Sequence, residues 1–215
     1  MKTFKFGKSK IFLHNNDLSH PIKNTKIISI DTETTGLSLV RDRLCLIQIG
    51  ISHKECHLVK FDSDFFKKKK QAKNLQILLN DKKIEKIFHY ARFDTAIIKK
   101  FLDVSCQNIF CTKIASKLVR TYTDRHGLKD LCKELLEIDL NKSQQLSDWS
   151  SNELSENQIK YAAYDVIFLF DLRKKLKQML LREERDALAK SIFTFLPNRV
   201  ELDFLGWLDT DIFSH

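Results

Sequence analysis

The chain has 215 residues, of which 43% are hydrophobic, so it can bury a sizeable core. Its net charge of +9 favours a polyanionic partner, although a Lys-rich composition can also serve solubility alone. Five cysteines without a C-x-x-C pair predict reduced thiols, not a disulfide framework or a zinc site. No apolar run has the length of a signal peptide or a membrane span. We therefore expect a soluble, cytoplasmic protein with no membrane association.

The first half of the chain predicts alternating strands and helices. Short runs rich in β-branched residues indicate strands, and apolar residues at helical spacing indicate the helices between them. The predicted strands are Ile27–Asp31, Leu44–Ile51, Cys56–Phe61, Lys86–His89 and Ile109–Cys111, and the predicted helices are Phe65–Leu79 and Ala91–Leu102. The run Lys67–Lys70 is interpreted as a solvated helix face.

The second half predicts helices almost throughout. Ser155 and Gln158 have the spacing of a capping box, and the apolar stripe of one long helix then extends to Met179. The other predicted helices are Lys113–Val119, Leu128–Leu136 and a segment from about Glu183 to Leu196 that stops at Pro197. We find no repeat and no linker, so we expect a single α/β domain over residues 1–215: a mixed central sheet flanked by helices, with a helical C-terminal part.

Two acidic residues lie close together at the end of the first of these strands. Asp31 and Glu33 are two positions apart, so they project from the same face of the strand. Like charges at the end of an apolar strand repel one another unless a cation lies between them. The alternative is a pair of exposed carboxylates at a strand end, because the D-x-E pattern is short and common.

Two more carboxylates lie on predicted helices. Asp94 falls in a first helical turn, where the helix dipole favours an acidic residue in any case. Tyr161 and Asp165 share a helix face, and a simple hydrogen bond between them is the alternative to a functional pair. Together, four carboxylates and a phenol suit two Mg²⁺ or Mn²⁺ ions that act on a phosphodiester.

These residues resemble the three motifs of the DEDD exonuclease superfamily. The order Asp31-x-Glu33, Asp94 and Tyr161-x-x-x-Asp165 is similar to its tyrosine branch, because Lys160 occupies the place of the histidine in the other branch. The segments 127–131, 145–149 and 154–166 resemble ribonuclease D. The resemblance implies an RNase H-like exonuclease fold and hydrolysis of RNA from its 3′ end to nucleoside 5′-monophosphates.

The resemblance also implies residue roles. Asp31, Glu33 and Asp165 would hold a first divalent ion and Asp94 a second, while Tyr161 would orient the attacking water. The residues expected to bind substrate are Thr34, Leu37, His89, Tyr90 and Trp149. Tyr90 departs from the Asn that many relatives carry, and either stacks on the substrate or simply packs. The chain ends too soon for the helical HRDC domain of full-length ribonuclease D.

Three functions remain open on the sequence. The leading one is an exoribonuclease acting on RNA 3′ ends, in tRNA 3′ processing or in the turnover of short RNA. The second is a 3′-5′ exonuclease that prefers single-stranded DNA, because contacts to the 2′-hydroxyl cannot be located in a sequence. The third is an inactive nucleic-acid-binding module. The aromatic tail, with Phe204, Trp207 and Phe213, either covers an edge of the core or makes a dimer contact.

Overall fold

The computed structural model describes residues 1–141 and 143–214. Seven strands in this part of the chain form one sheet. They are β1 (Lys2–Phe6), β2 (Ser9–Asn15), β3 (Ile27–Thr34), β4 (Leu44–Ser52), β5 (Glu55–Lys60), β6 (Glu85–Phe88) and β7 (Ile109–Cys111). The helices are α1 (Lys73–Asn80), α2 (Ala91–Leu102), α3 (Thr112–Val119), α4 (Leu128–Leu136), α5 (Glu156–Ile167), α6 (Leu169–Arg182) and α7 (Asp186–Phe204).

The sheet is mixed, as predicted, and its strand order is β1-β2-β5-β4-β3-β6-β7. Strands β3, β4 and β5 pair antiparallel, whereas β6 lies parallel to both β3 and β7. The carboxyl ends of β3, β6 and β7 therefore meet at one edge of the sheet. The loops and helices that follow these three strands all begin at that edge, which places their first residues around a common site.

Helices cover both faces of the sheet. One face of β3 carries Ile28 and Ile30, which belong to the larger apolar cluster with α1, α2, α3, α6 and α7. On the other face, the side chains of Leu46 and Leu58 pack against Ile159, Ala162 and Val166 of α5. Because side chains alternate along a strand, Asp31 and Glu33 point toward the face covered by α5.

The predicted helix Phe65–Leu79 is wrong in its first half. Residues 63–69 form turns, and α1 begins only at Lys73. Lys69 adopts a left-handed backbone conformation with φ of 50°, which interrupts a helix. The Lys67–Lys70 run, interpreted as a solvated helix face, therefore lies at the end of these turns and not on a helix. The rings of Phe61, Phe65 and Phe66 pack on one another with centroids 5.0 to 5.3 Å apart, so tertiary packing holds the segment.

The N-terminal hairpin was not predicted. Strands β1 and β2 pair antiparallel around a turn at Gly7, whose φ is +58°. Their side chains include basic residues on the exposed face, which hid the alternation in the sequence. Ile11 of β2 is nevertheless fully buried in the cluster beneath α5.

Two predicted helix boundaries are also wrong. The long helix after Ser155 is two helices, α5 and α6, which meet at Phe168. Helix α7 passes through Pro197 and ends at Phe204, because Leu196 and Val200 are buried on either side of the proline. Burial of that face offsets the hydrogen bond that proline cannot donate. Among the helices of residues 1–141 and 143–214, none combines the length and apolar character needed to cross a membrane.

Candidate active site

Three carboxylates from two elements meet at the end of β3. One oxygen from each of Asp31, Glu33 and Asp165 lies within 4.8 Å of the other two. The two β3 residues share a face because they are two positions apart, and α5 crosses that face with Asp165 in its last two turns. Oxygen ligands at this spacing suit a hard divalent cation such as Mg²⁺ or Mn²⁺.

The fourth predicted carboxylate approaches from the opposite face of β3. Asp94 lies in the first turn of α2 and is only 4% exposed. Its Oδ1 accepts a hydrogen bond of 2.6 Å from Thr32 Oγ1, whose side chain points away from α5. Burial and then the charge of Asp31 raise the pKa of Asp94, so the two carboxylates are close enough to interact. The site is therefore a compact group of three carboxylates with a fourth beside it.

Electrostatic strain marks this cluster. Burial raises the pKa of Asp31 to about 7. The pKa of Glu33 lies well above its ordinary range, because of burial and then the charges of Asp31, Asp165 and Asp94. A hydrogen bond of 3.4 Å from Gln48 Nε2 offsets little of this. Carboxylates in such a place retain protons unless a cation neutralises them, so the residues present fit a divalent metal.

The phenol of Tyr161 lies beside the carboxylates. Tyr161 makes a side-chain hydrogen bond with Asp165, as the sequence spacing allowed. Burial, followed by the charges of Asp165 and Glu33, raises the pKa of the Tyr161 hydroxyl, so it stays protonated at neutral pH. The ring packs on Trp149, with centroids 6.0 Å apart, and Trp149 is only 3% exposed. The hydroxyl is thus held as a neutral donor next to the cluster.

A structured loop follows β3. The register with β4 shifts between Glu33 and Thr34, a bulge that turns the chain away from the sheet. A Cβ on Gly36 would lie 2.5 Å from Asp42 Oδ2, so only glycine permits this approach. Asp42 in turn accepts a 2.9 Å hydrogen bond from the backbone of Ser38. These contacts hold Leu37, which is 83% exposed, at the mouth of the site.

The carboxylates lie in a cleft of about 500 Å³. All the residues predicted to bind substrate line this cleft: Thr34, Leu37, His89, Tyr90 and Trp149. Trp149 reaches it from beneath Tyr161, whereas Tyr90 is 46% exposed at the start of α2. His89 Nδ1 lies 2.9 Å from Thr112 Oγ1, a contact that links the ends of β6 and β7.

The residues of the site that were not predicted include three polar side chains. Thr32 holds Asp94, Gln48 reaches Glu33, and Lys113 lines the cleft. Gln48 could have been found from the sequence, because it is the one side chain with an amide group in the otherwise apolar run Leu44–Ile51. Thr32 and Lys113 could not, because their roles depend on which strands and helices become neighbours.

The chain is similar to known exonucleases along most of its length. A family model described as a 3′-5′ exonuclease matches residues 14–181. DNA polymerase I of Aquifex aeolicus is 33% identical over 166 residues, 77% of this chain and 26% of that protein. Ribonuclease D of Gluconacetobacter diazotrophicus is 32% identical over 164 residues, 76% of this chain and 40% of that protein. The chain thus spans well under half the length of these curated relatives.

A solved structure matches over nearly its whole length. Brucella melitensis NrnC is 46% identical, with a TM-score of 0.89 that covers 95% of this chain and 98% of that one. NrnC has also been solved bound to pGG and with bound Mg²⁺. Escherichia coli RNase D shares the fold, with a TM-score of 0.71 at 21% identity.

Proposed function

The chain belongs to the 3′-5′ exonuclease family, and from that premise we propose that it is a metal-dependent 3′-5′ exoribonuclease. It hydrolyses single-stranded RNA from the 3′ end and releases nucleoside 5′-monophosphates. In this proposal residues 1–215 act as one domain. The reaction takes place in the cytoplasm, where the five unpaired and buried cysteines would stay reduced.

The observation that carries the proposal is the carboxylate cluster. One oxygen from each of Asp31, Glu33 and Asp165 lies within 4.8 Å of the other two. A hydrogen bond from Thr32 holds Asp94 beside them. Burial raises the pKa of Asp31, Glu33 and Asp94, a cost that a purely structural site would have no reason to keep. All four carboxylates are present, which argues against an inactive binding module.

The positions of the residues support the following proposed roles. Asp31, Glu33 and Asp165 would hold one Mg²⁺ or Mn²⁺ ion, and Asp94 together with Asp31 a second. When bound, two such ions supply Lewis-acid stabilisation of the attacking and leaving oxygens. The neutral phenol of Tyr161, held beside Asp165, would orient the attacking water. Trp149 packs under that ring and fixes its position.

The rim of the cleft would bind the terminal nucleotide. Leu37 is exposed at the tip of the loop that Asp42 braces, so its side chain can insert beside a base at little cost in packing. Thr34 donates a hydrogen bond of 2.5 Å to the carbonyl of Gly36, which leaves its hydroxyl oxygen able to accept from the sugar. His89 contributes a second polar group at the end of β6.

We favour short RNA as the substrate. NrnC, which this chain matches over 98% of that protein's length, was solved with bound pGG. A cleft of about 500 Å³ has room for about that much nucleic acid. Turnover of short RNA therefore fits better than trimming of tRNA 3′ ends, which is the other role that the sequence predicted for this chain.

One observation supports a second candidate function. DNA polymerase I of Aquifex aeolicus is a relative at 33% identity, which supports single-stranded DNA as a substrate for the same carboxylates. The chemistry is identical on either nucleic acid. Contacts to the 2′-hydroxyl decide between them.

The experiment is a direct assay of hydrolysis. Purified protein is incubated with 5′-labelled single-stranded RNA of several lengths, and with DNA of matched sequence, in Mg²⁺, in Mn²⁺ and in EDTA. We expect a ladder that shortens from the 3′ end, with nucleoside 5′-monophosphates as products, no reaction in EDTA, and the fastest turnover on the shortest RNA. Asp31→Asn is the inactive control.

Each alternative predicts a different result. Faster turnover of DNA than of RNA at equal concentration would assign the second function. Binding without hydrolysis in either metal, by a protein that is folded, would assign the inactive module. Equal turnover of RNA at every length would retain the exoribonuclease and remove the preference for short substrates.

A further inference from the structure

Tyr90 and Lys113 come together at the carboxyl edge of the sheet. Phe88 of β6 is paired with Cys111 of β7 in parallel register, and the two residues follow that pair by two positions each. Lys113 Nζ lies 4.3 Å from the centroid of the Tyr90 ring. Both side chains line the cleft that contains Asp94 and the other carboxylates.

Lys113 offers a positive charge that no acidic residue takes up. Within residues 1–141 and 143–214, its ammonium forms no ion pair, and its recorded contact is the Tyr90 ring. By contrast, Lys129, another cation of the cleft wall, forms an ion pair with Asp139 at 3.3 Å. An ammonium left over an aromatic face, beside a cluster of carboxylates, can bind an anion that enters the cleft.

The backbone of Tyr90 is strained. Its φ of 69° and ψ of 48° place it in the left-handed region, which favours Gly and Asn and is unusual for a bulky side chain. Packing does not explain the choice of tyrosine, since the side chain is 46% exposed. Strain of this kind tends to occur where a side chain must be aimed at a ligand.

We propose that Tyr90 and Lys113 form a clamp for one nucleotide of the substrate strand. The exposed part of the Tyr90 ring stacks on a nucleobase, and Lys113 binds the phosphate of the same nucleotide. Stacking accepts any base, and the ammonium binds any phosphate, so the clamp adds affinity without sequence preference. The inference rests on the proposed function, because it requires single-stranded nucleic acid in this cleft.

The clamp makes a specific prediction for Tyr90→Asn. Asparagine tolerates the left-handed conformation, so the thermal midpoint should rise by about 2–4 °C. The same variant loses the stacking surface, so the KM for single-stranded RNA should rise about tenfold. Tyr90→Phe keeps the ring and should retain the wild-type KM. A residue that merely packs would not combine higher stability with weaker binding.

Glu184→Asn is the matched control for the backbone effect. Glu184 is exposed between α6 and α7 and also has a positive φ, of 55°. This substitution should raise the thermal midpoint in the same way and leave KM unchanged. A rise in KM in both variants would show that relief of strain alone, not loss of the ring, weakens binding, and would overturn the clamp.

Lys113 is tested against Lys117, an exposed lysine one turn further along α3. Lys113→Met should raise KM and reduce the dependence of log affinity on log salt by about one unit. Lys117→Met removes the same charge from the same helix and should change neither quantity. Equal effects of the two substitutions would reduce the role of Lys113 to general surface charge.

Separate measurements of binding and of hydrolysis distinguish the clamp from the proposed function. Affinity for labelled RNA is measured in EDTA by fluorescence anisotropy, and turnover is measured in Mg²⁺. Wild-type turnover combined with unchanged affinity in Tyr90→Asn and Lys113→Met overturns the clamp but not the proposed function. Absence of turnover in the wild type overturns the proposed function, and the affinities of the same variants still decide whether the clamp exists.

Discussion

Two clusters of polar side chains in this molecule differ in their electrostatics. At the end of β3, the carboxylates of Asp31 and Glu33 lie together with that of Asp165, and burial raises the pKa of Asp31 and of Glu33. Between β2 and β5, His14 Nε2 lies 2.9 Å from His57 Nδ1, and His57 Nε2 lies 3.0 Å from Glu55. Burial disfavours the charged forms of the first cluster, whereas the side chains of the second cluster hydrogen-bond to one another.

The histidine chain has one consistent assignment of protons. The backbone N–H of Ser19 donates to His14 Nδ1 at 3.1 Å, so His14 carries its own proton on Nε2. His14 then donates to His57, and His57 donates to Glu55. Every ring nitrogen has a partner while both rings are neutral. A hydrogen-bonded polar network stabilises a fold, whereas clustered carboxylates with raised pKa values in a cleft indicate a site where a ligand binds.

The largest effect is expected when one of the clustered carboxylates is removed. Asp31→Asn should lower kcat by about 10³-fold or more, since the residue touches both proposed metal positions. The same change should raise the thermal midpoint in EDTA, because one of the repelling charges is gone. Activity assays and thermal melts with and without Mg²⁺ measure the two effects. Asp64→Asn, at an exposed position, is the control and should alter neither.

The next effect is expected at the phenol. Tyr161→Phe removes only the hydroxyl that borders the carboxylates, so kcat should fall by about 10²-fold with little change in KM. Tyr164→Phe, on the same helix, makes the same chemical change and should leave kcat near the wild-type value. Comparable losses in both variants would mean that the position of α5, not the hydroxyl of Tyr161, governs the rate.

The histidine chain should respond in stability and not in catalysis. His14→Gln breaks a buried network, so the free energy of unfolding should fall by about 1–3 kcal/mol while kcat is unchanged. Chemical denaturation at neutral pH, alongside the RNA assay, checks both parts. A large fall in kcat in a folded His14→Gln protein would contradict the separation of the two regions.

The two groups should also respond to pH in opposite directions. Burial lowers the pKa of His14 from 6.5 to about 4, so its contribution to stability is complete above pH 6.5 and is lost as the pH falls toward 4. Burial raises the pKa of Asp31 from 3.8 to about 7, so in EDTA its contribution is lost as the pH rises through that range.

Single substitutions change each arm of this pH dependence separately. In EDTA, Asp31→Asn should make the fall in the free energy of unfolding with rising pH shallower, while the raised pKa values of Glu33 and Asp94 keep part of that fall. His14→Gln should remove the rise in the free energy of unfolding between pH 4 and pH 6.5. Denaturation curves collected from about pH 4 to about pH 7 measure this. Added Mg²⁺ should suppress the falling arm in the wild type, and failure to do so would argue against metal at these carboxylates.

The smallest effect is expected at the rim of the cleft. Gly36→Ala places a Cβ where Asp42 now lies, so it loosens the loop that carries Leu37. KM for RNA should rise a few-fold, with kcat and the thermal midpoint little changed, because neither the carboxylates nor the core are touched. Steady-state kinetics and a thermal melt are sufficient. Asp42→Asn weakens the same brace and should reproduce the change in KM.

Local patterns in the sequence located much of the fold. Ala91–Leu102, Ile109–Cys111 and Leu128–Leu136 end where predicted, because each combines a regular apolar period with a clear boundary. The boundaries that failed depend on long-range packing. The aromatic cluster around Phe61 holds turns where a helix was predicted from the apolar spacing that follows, and helix α7 continues past Pro197 because its neighbours are buried.

The sequence by itself determined the family and the candidate residues, because spacing along a strand or a helix sets which side chains share a face. Asp31 with Glu33, and Tyr161 with Asp165, are pairs of this kind. Only the tertiary structure decided that oxygens of Asp165 and of the first pair lie within 4.8 Å of one another, and that Thr32 holds Asp94 beside them. The same holds for Tyr90 and Lys113, which meet through the register of β6 and β7. Strand pairing depends on residues that are far apart in the sequence, so no local pattern predicts it.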